Sequence, residues 1–353
     1  MTLKKEFLNY IHLFRGLAIV VIVGIHCRIS LPWSSNQQFS KAVFTTLLDS
    51  GTILFVFIAG FLFQYLKYKY EFFDYFKRKL KFVILPYLVV SVPILVYKYL
   101  TYSQPYEWMP NSLENQPYII QCFYMILTGK HIGPFWFIPM IFIFYLISPL
   151  LLRLDNPKFY TYFFPFLFIA GLFTFRFGYY STTIDSFIYF IPIYIFGMWG
   201  SAYRKQLTQT KVLYMAILFI IYIAISILEV VHIIEIPKLT SFESSNLLPY
   251  FHFNFAKVKV SLLCIILIRF FYLFNDNEIS VLKKLADYSF GIFFLHMYII
   301  QAIEIVIKTY FNNFKLGLVS FVFYTLIVTI ASMLLIDILK KLIGRNSRSF
   351  IGS

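Results

Sequence analysis

Apolar runs long enough to cross a hydrocarbon core of about 30 Å recur along the chain, parted by short polar stretches. Ten of them predict membrane helices, near 8–28, 43–66, 82–101, 135–152, 160–176, 187–201, 212–232, 258–274, 287–306 and 316–339. The sixth is short and needs tilt or extension from its flanks. The stretch 118–129 is apolar but too short to cross, so it reads as re-entrant, interfacial or the start of the fourth helix; if it crosses, the count is eleven. The expected fold is all-α: a polytopic integral membrane protein of about ten transmembrane helices, with no separate soluble domain.

Composition agrees. The 353 residues are 60% hydrophobic and 13% charged, against about 25% charged in a soluble domain. A net charge of +15 raises the question of nucleic acid. The cations, however, lie in short clusters between apolar runs, as membrane topology requires and a nucleic-acid surface does not. Cys27, Cys122 and Cys264 sit in or beside apolar stretches without CxxC or metal-ligand spacing, so they read as packing residues and no metal is expected. The start lacks the short apolar core and cleavage site of a signal peptide, so the first span reads as retained.

Lys and Arg set the orientation. Alternating the ten helices collects 19 cations on one side, including Lys4, Lys5 and six within 67–81. The other side holds ten, among them Lys238, Lys257 and Lys259, while Arg15 and Arg269 stay within helices. The heavier side is expected to be cytoplasmic, with both termini.

The first helix carries the most informative pair. Arg15 and His26 are eleven residues apart, which returns nearly to the same helix face with a rise of about 16 Å. Ionisable groups at such depth are costly to insert, so they usually face a cavity and serve function. Next comes FDYFKRKLKFVILPY, where Lys77, Arg78, Lys79 and Lys81 crowd the entrance of the third helix ahead of Pro86. Two readings stay open: an anchor on anionic lipid headgroups, or a phosphate clamp for an anionic cosubstrate. Gly60, in FVFIAGFLFQY, reads as a close-packing position. Trp136 reads as an outer-interface anchor, and Pro139 as a kink or first-turn residue. His296, mid-span in YSFGIFFLHMYII, is open to packing or catalysis. His12, one turn before Arg15, faces the same vestibule, whereas His131, His232 and His252 read as solvated residues of outer loops or helix ends.

In order along the chain these segments resemble the membrane acyltransferase-3 family, whose members O-acylate bacterial cell-surface glycans. FRGLAIVVIVGIH is similar to its first-helix Arg-(ten residues)-His signature, FVFIAGFLF to its FFvxSGFLI stretch and FKRKLKFVILPY to its basic RxxR-and-proline loop. PFWFIPMIFIFYLISPLL resembles its WFL helix and YSFGIFFLH its late YxiYLxH segment. The chain departs in having His12 where an acidic residue is common, Ala59 where serine is usual, and Lys81 as the second basic residue paired with Arg78. The C-terminal esterase domain of some relatives is missing from this chain. The resemblance implies an acyltransferase-3-like transmembrane domain over 1–341, followed by a short basic cytoplasmic tail, 342–353.

It also implies an activity: transfer of an acyl group, acetyl by default, from cytoplasmic acyl-CoA to a hydroxyl of a surface or exported glycan. His26 is then general base or acyl relay, Arg15 a catalytic partner steadying the donor, and Arg78, Lys81 and Lys77 the holders of the acyl-CoA. Expected partners are a glycan or lipid-linked saccharide acceptor, membrane lipids, and surface-polysaccharide assembly proteins or a second copy of the chain. The expected location is the bacterial cytoplasmic membrane. The competing class is a transporter or flippase for a lipid-linked saccharide, which ten helices with buried charges also suit. The ordered motif series favours the enzyme.

Overall fold

Prolines mark several of the places where this chain leaves or widens a helix. The first, α1 (Asn9–Ser30), stops at an extended Leu31, because the residue before a proline, here Pro32, is pushed out of helical geometry. After α2 (Gln38–Leu48), α3 (Gly51–Tyr65) and α4 (Phe72–Lys79) the helix swells into one π turn, Leu80–Ile84, before α5 (Leu85–Thr101). Pro86 has no N–H to donate and its ring crowds the carbonyl four residues back, so the wider turn relieves both. The same solution recurs at Phe159–Phe163, just ahead of Pro165.

The computed structural model describes residues 8–49, 51–101, 106, 108–176, 181–235, 253–275, 279–311 and 313–353; His252, Lys4, Lys5 and Lys238 lie outside them. The remaining helices are α6 (Asn111–Glu114), α7 (Tyr118–Thr128), α8 (Phe137–Leu146), α9 (Ser148–Leu154), α10 (Phe164–Gly171), α11 (Thr183–Ala202), α12 (Arg204–Thr208), α13 (Val212–Glu235), α14 (Phe255–Tyr272), α15 (Ser280–Tyr310), α16 (Leu318–Ile343) and α17 (Ser347–Ile351). No strand occurs among the described residues beyond one isolated bridge, Trp33 to Leu316.

Among the described residues seven helical segments are long and apolar enough to cross a membrane, and eight if the bent pair Tyr118–Thr128 and Gly133–Leu146 counts as one span. The ten expected runs are therefore not ten uniform spans. The run at 160–176 is a short apolar helix, and the one at 258–274 begins earlier, at Phe255, so that Lys257 joins Lys259 and Arg269 in α14. The stretch 118–129 is a helix of its own. It ends at Gly129, whose φ of 68° is open to glycine at little cost, and the next helical segment leaves at 69°. The short sixth run is a full 20-residue helix, α11, started by a capping box between Thr182 and Asp185.

Contacts between segments sort into two ends of the bundle, as alternation demands. At the basic end Lys67 pairs with Asp155 at 2.6 Å, Arg269 donates to the Thr210 carbonyl and Asn9 to that of Asn275. At the opposite end Arg28 pairs with Asp49 at 2.5 Å, and Ser34 donates its backbone N–H to Leu316. Glycines let the central helices touch. A Cβ on Gly60 of α3 would stand 1.9 Å from the Tyr194 carbonyl oxygen of α11, and one on Gly197 of α11 would stand 2.1 Å from that of Phe57. The expected packing role of Gly60 is met twice over.

Candidate active site

α1 and α15 run parallel in close contact, and three levels fix their register. A Cβ on Gly16 would stand 2.2 Å from the Leu282 carbonyl oxygen. One Arg15 nitrogen, Nη2, donates to the Ala286 carbonyl at 2.9 Å. Further along, the rings of His26 and His296 lie 5.2 Å apart, centroid to centroid. Ten residues on α15 thus match eleven on α1, and one interface carries both members of the Arg–His pair.

At the basic end, Arg15 Nη2 also donates to His12 Nδ1 at 3.3 Å, and His12 Nε2 lies 3.1 Å from the Asp287 carboxylate. A guanidinium only donates and a carboxylate only accepts, so His12 carries its proton on Nε2 and its lone pair on Nδ1. The acidic residue missing at position 12 is supplied through space by Asp287, with His12 as the bridge. Arg15 Nε is buried without a hydrogen-bond partner.

At the other level, His296 has no solvent exposure. Its Nδ1 is 2.8 Å from the Ile292 carbonyl oxygen. A carbonyl cannot donate, so Nδ1 holds the proton and Nε2 is the bare nitrogen; that atom is buried without a partner. His26 is half-buried beside it. Its ring faces a cavity lined by Ile22, Thr52, Phe55, Trp136, Phe137 and Phe293, with Pro134 and Phe290 completing the wall. About 30 Å³ of this space is open, enough for one or two water molecules. Ile22 and Phe290 lie on the Arg15 side of the two histidines, so the cavity reaches from His26 toward the basic end.

Several sequence expectations change here. Trp136, expected at the outer interface, packs inward. It walls the cavity, with the Arg176 guanidinium 3.4 Å from its ring centroid and Phe190 stacked against it. Pro139 keeps to its expected first-turn place, in α8. His131 is buried rather than solvated, with Nδ1 2.9 Å from the Met125 carbonyl and Nε2 2.7 Å from Ser91 Oγ, tying α7 to α5. Lys257 and Lys259 are buried inside α14. Lys257 donates to the Gly171 and Tyr189 carbonyls and to Thr174 Oγ1, and Lys259 to the Thr46 carbonyl and the Glu229 carboxylate. Each hydrogen-bonded ammonium fastens α14 to its neighbours.

Within the basic loop, Lys77, Arg78 and Lys81 are exposed at the rim. Lys79, which sequence reasoning did not separate from its neighbours, turns inward instead, with Nζ 5.2 Å from the Tyr75 ring and 4.9 Å from that of Tyr145. The described structure brings Arg15, His26 and His296 to one helix interface. It leaves the three predicted clamp residues at the mouth of the same bundle.

A membrane-embedded arginine and a histidine pair around a small cavity, in a bundle of long apolar helices, define a multi-pass membrane protein with an internal polar site. The model of the acyltransferase domain family, Acyl_transf_3, matches residues 8–337 of the chain. The chain belongs to that family, and the protein is a membrane acyltransferase. No curated protein and no solved structure matches it.

Proposed function

We propose that this acyltransferase moves a small acyl group, acetyl in the first instance, from cytoplasmic acyl-CoA to a hydroxyl of a surface or exported glycan in the bacterial cytoplasmic membrane. One observation carries the reading. His26 lies half-buried at a small cavity with no hydrogen bond on its ring among the described residues, next to the bare Nε2 of His296.

In this reading His26 takes the proton of the acceptor hydroxyl as its oxygen attacks the thioester carbonyl. The C–S bond breaks, and the coenzyme A thiolate leaves and recovers the proton from the imidazolium. His296 Nε2 accepts from the second N–H of His26, holding the ring and stabilising its charged form; catalytic hydrogen bonds of this kind tighten once substrate is bound. Arg15 keeps Nε for a polar group of the donor while His12 and Ala286 hold the rest of the guanidinium. Arg78, Lys81 and Lys77 attract the donor phosphates at the rim. The small open volume beside His26 suits a two-carbon acyl group better than a long chain.

Purified protein in nanodiscs, given labelled acetyl-CoA and a glycan acceptor, tests the assignment. His26→Ala is expected to lose at least about 100-fold in transfer while coenzyme A still binds. Transfer at the wild-type rate would remove His26 as the base.

A further inference from the structure

Helix α17 lies beyond the residues matched to the family, yet it is built into the basic end of the bundle. Ser349 and Ile351 are buried. A Cβ on Gly352 would stand 2.9 Å from the Phe290 ring, and Ser353 Cβ lies 2.8 Å from where a Cβ on Gly291 would be. Phe290 also walls the His26 cavity. The segment 347–353 therefore packs behind a wall residue of the His26 cavity.

Its outward charge is Arg348, an exposed side chain whose guanidinium is 4.8 Å from the centre of the Phe82 ring. Lys81 Nζ is 5.5 Å from the same ring, so two cations from distant parts of the chain share one aromatic ring. Arg348 is also within electrostatic range of Lys79 and Arg15. None of Arg348, Arg78, Lys79 or Lys81 is paired with a carboxylate among the described residues. Like charges gathered without counter-ions repel, and a bound polyanion repays that cost. An arginine beside a lysine at the rim offers the bidentate fork and point charge that a phosphate monoester takes.

Resting on the donor reading above, we infer that Arg348 and Lys81 bind the 3′-phosphate of coenzyme A, which makes α17 part of the donor site. The geometry of the molecule sets the choice of phosphate: with the thioester directed at His26, the adenosine 3′-phosphate is the far end of the donor and stays at the mouth. Lys79 and Arg15 then lie between the two ends.

Titration calorimetry of the whole chain in nanodiscs, with coenzyme A and with 3′-dephospho-coenzyme A, tests this. Wild type is expected to bind coenzyme A about tenfold more tightly than the dephospho form, the effect of one good phosphate contact. Arg348→Gln is expected to lose that preference while binding the dephospho form as wild type does. Arg345→Gln, on the exposed turn before α17, is expected to bind both as wild type does. If Arg348→Gln keeps the preference, or wild type binds both forms equally, α17 is not part of the donor site and the donor reading survives. If wild type binds neither, both readings fall.

Discussion

A buried histidine needs a partner for each ring nitrogen, and His296 has one for Nδ1 alone. Leaving a buried acceptor bare costs about 1–3 kcal/mol, a cost that a purely structural residue has no reason to carry. His131 shows the contrast, with both its nitrogens engaged by Met125 and Ser91. In the proposed function the same scale sets the acyl preference, because the space next to His26 is walled by whole side chains. Phe55 is the aromatic wall residue from α3 and is only half-buried, so its removal enlarges the space with limited loss of packing. Phe55→Ala is expected to raise turnover of butyryl-CoA relative to acetyl-CoA by about tenfold or more, since each methylene accommodated is worth about 1–3 kcal/mol. The ratio of initial rates with the two donors measures it, and an unchanged ratio would detach the cavity from acyl selection.

Between elements, the decisive contact is α1 against α15. Gly16 brings the two helices so close that a single methyl would collide with the Leu282 backbone. Backbone cannot swing aside as a side chain can, so Gly16→Ala must part the helices at the level of Arg15 and disturb the pairing of His26 with His296. Overpacking of this sort costs about 1–3 kcal/mol, and a 1 Å misplacement of reacting groups costs about 100-fold in rate. Both a lower unfolding temperature and a large loss of transfer are expected. Gly317→Ala is the control. Its nearest neighbour is 3.7 Å away, an ordinary contact, so stability and rate should stay at wild-type values. Equal behaviour of the two variants would mean that the α1–α15 spacing is not what holds the site together.

For the whole molecule, the charge distribution and the sorted contacts assign two faces: one with Arg78, Arg345 and Arg348, the other with Lys315 and the Trp33–Leu316 bridge. By the positive-inside rule the first is expected to be cytoplasmic. In a Cys122→Ser background, where the remaining native thiols are the buried Cys27 and Cys264, a membrane-impermeant maleimide should label Lys315→Cys in spheroplasts. It should label Arg345→Cys only after lysis. The opposite pattern would invert the orientation and move the donor site away from cytoplasmic acyl-CoA.

Much of this was legible in the linear pattern, because it depends on short-range quantities. Run length decides whether a segment can cross a membrane, and helical periodicity alone puts Arg15 and His26 on one face. The same local order carried the family resemblance, which the match over 8–337 bears out. Other features depend on neighbours far along the chain. His12 could be read as a missing acid until Asp287 was found bound to it, 275 positions away by number. Lys79 looks like its neighbours in sequence, but α4 and the π turn before Pro86 point it at Tyr75 and Tyr145 while Lys77, Arg78 and Lys81 face outward. Lys257 and Lys259 counted as loop charges until carbonyls on α2, α10 and α11 and a carboxylate on α13 were seen to satisfy them. Apolar length and helical spacing are properties of consecutive residues, so the sequence by itself determined that apolar helices make up the fold and that Arg15 and His26 share a helix face, but not which runs are long enough as helices to cross. Hydrogen-bond satisfaction and close approach are properties of residues that only folding makes adjacent, so the tertiary structure alone decided that His296 faces His26 and that Arg348 joins Lys81.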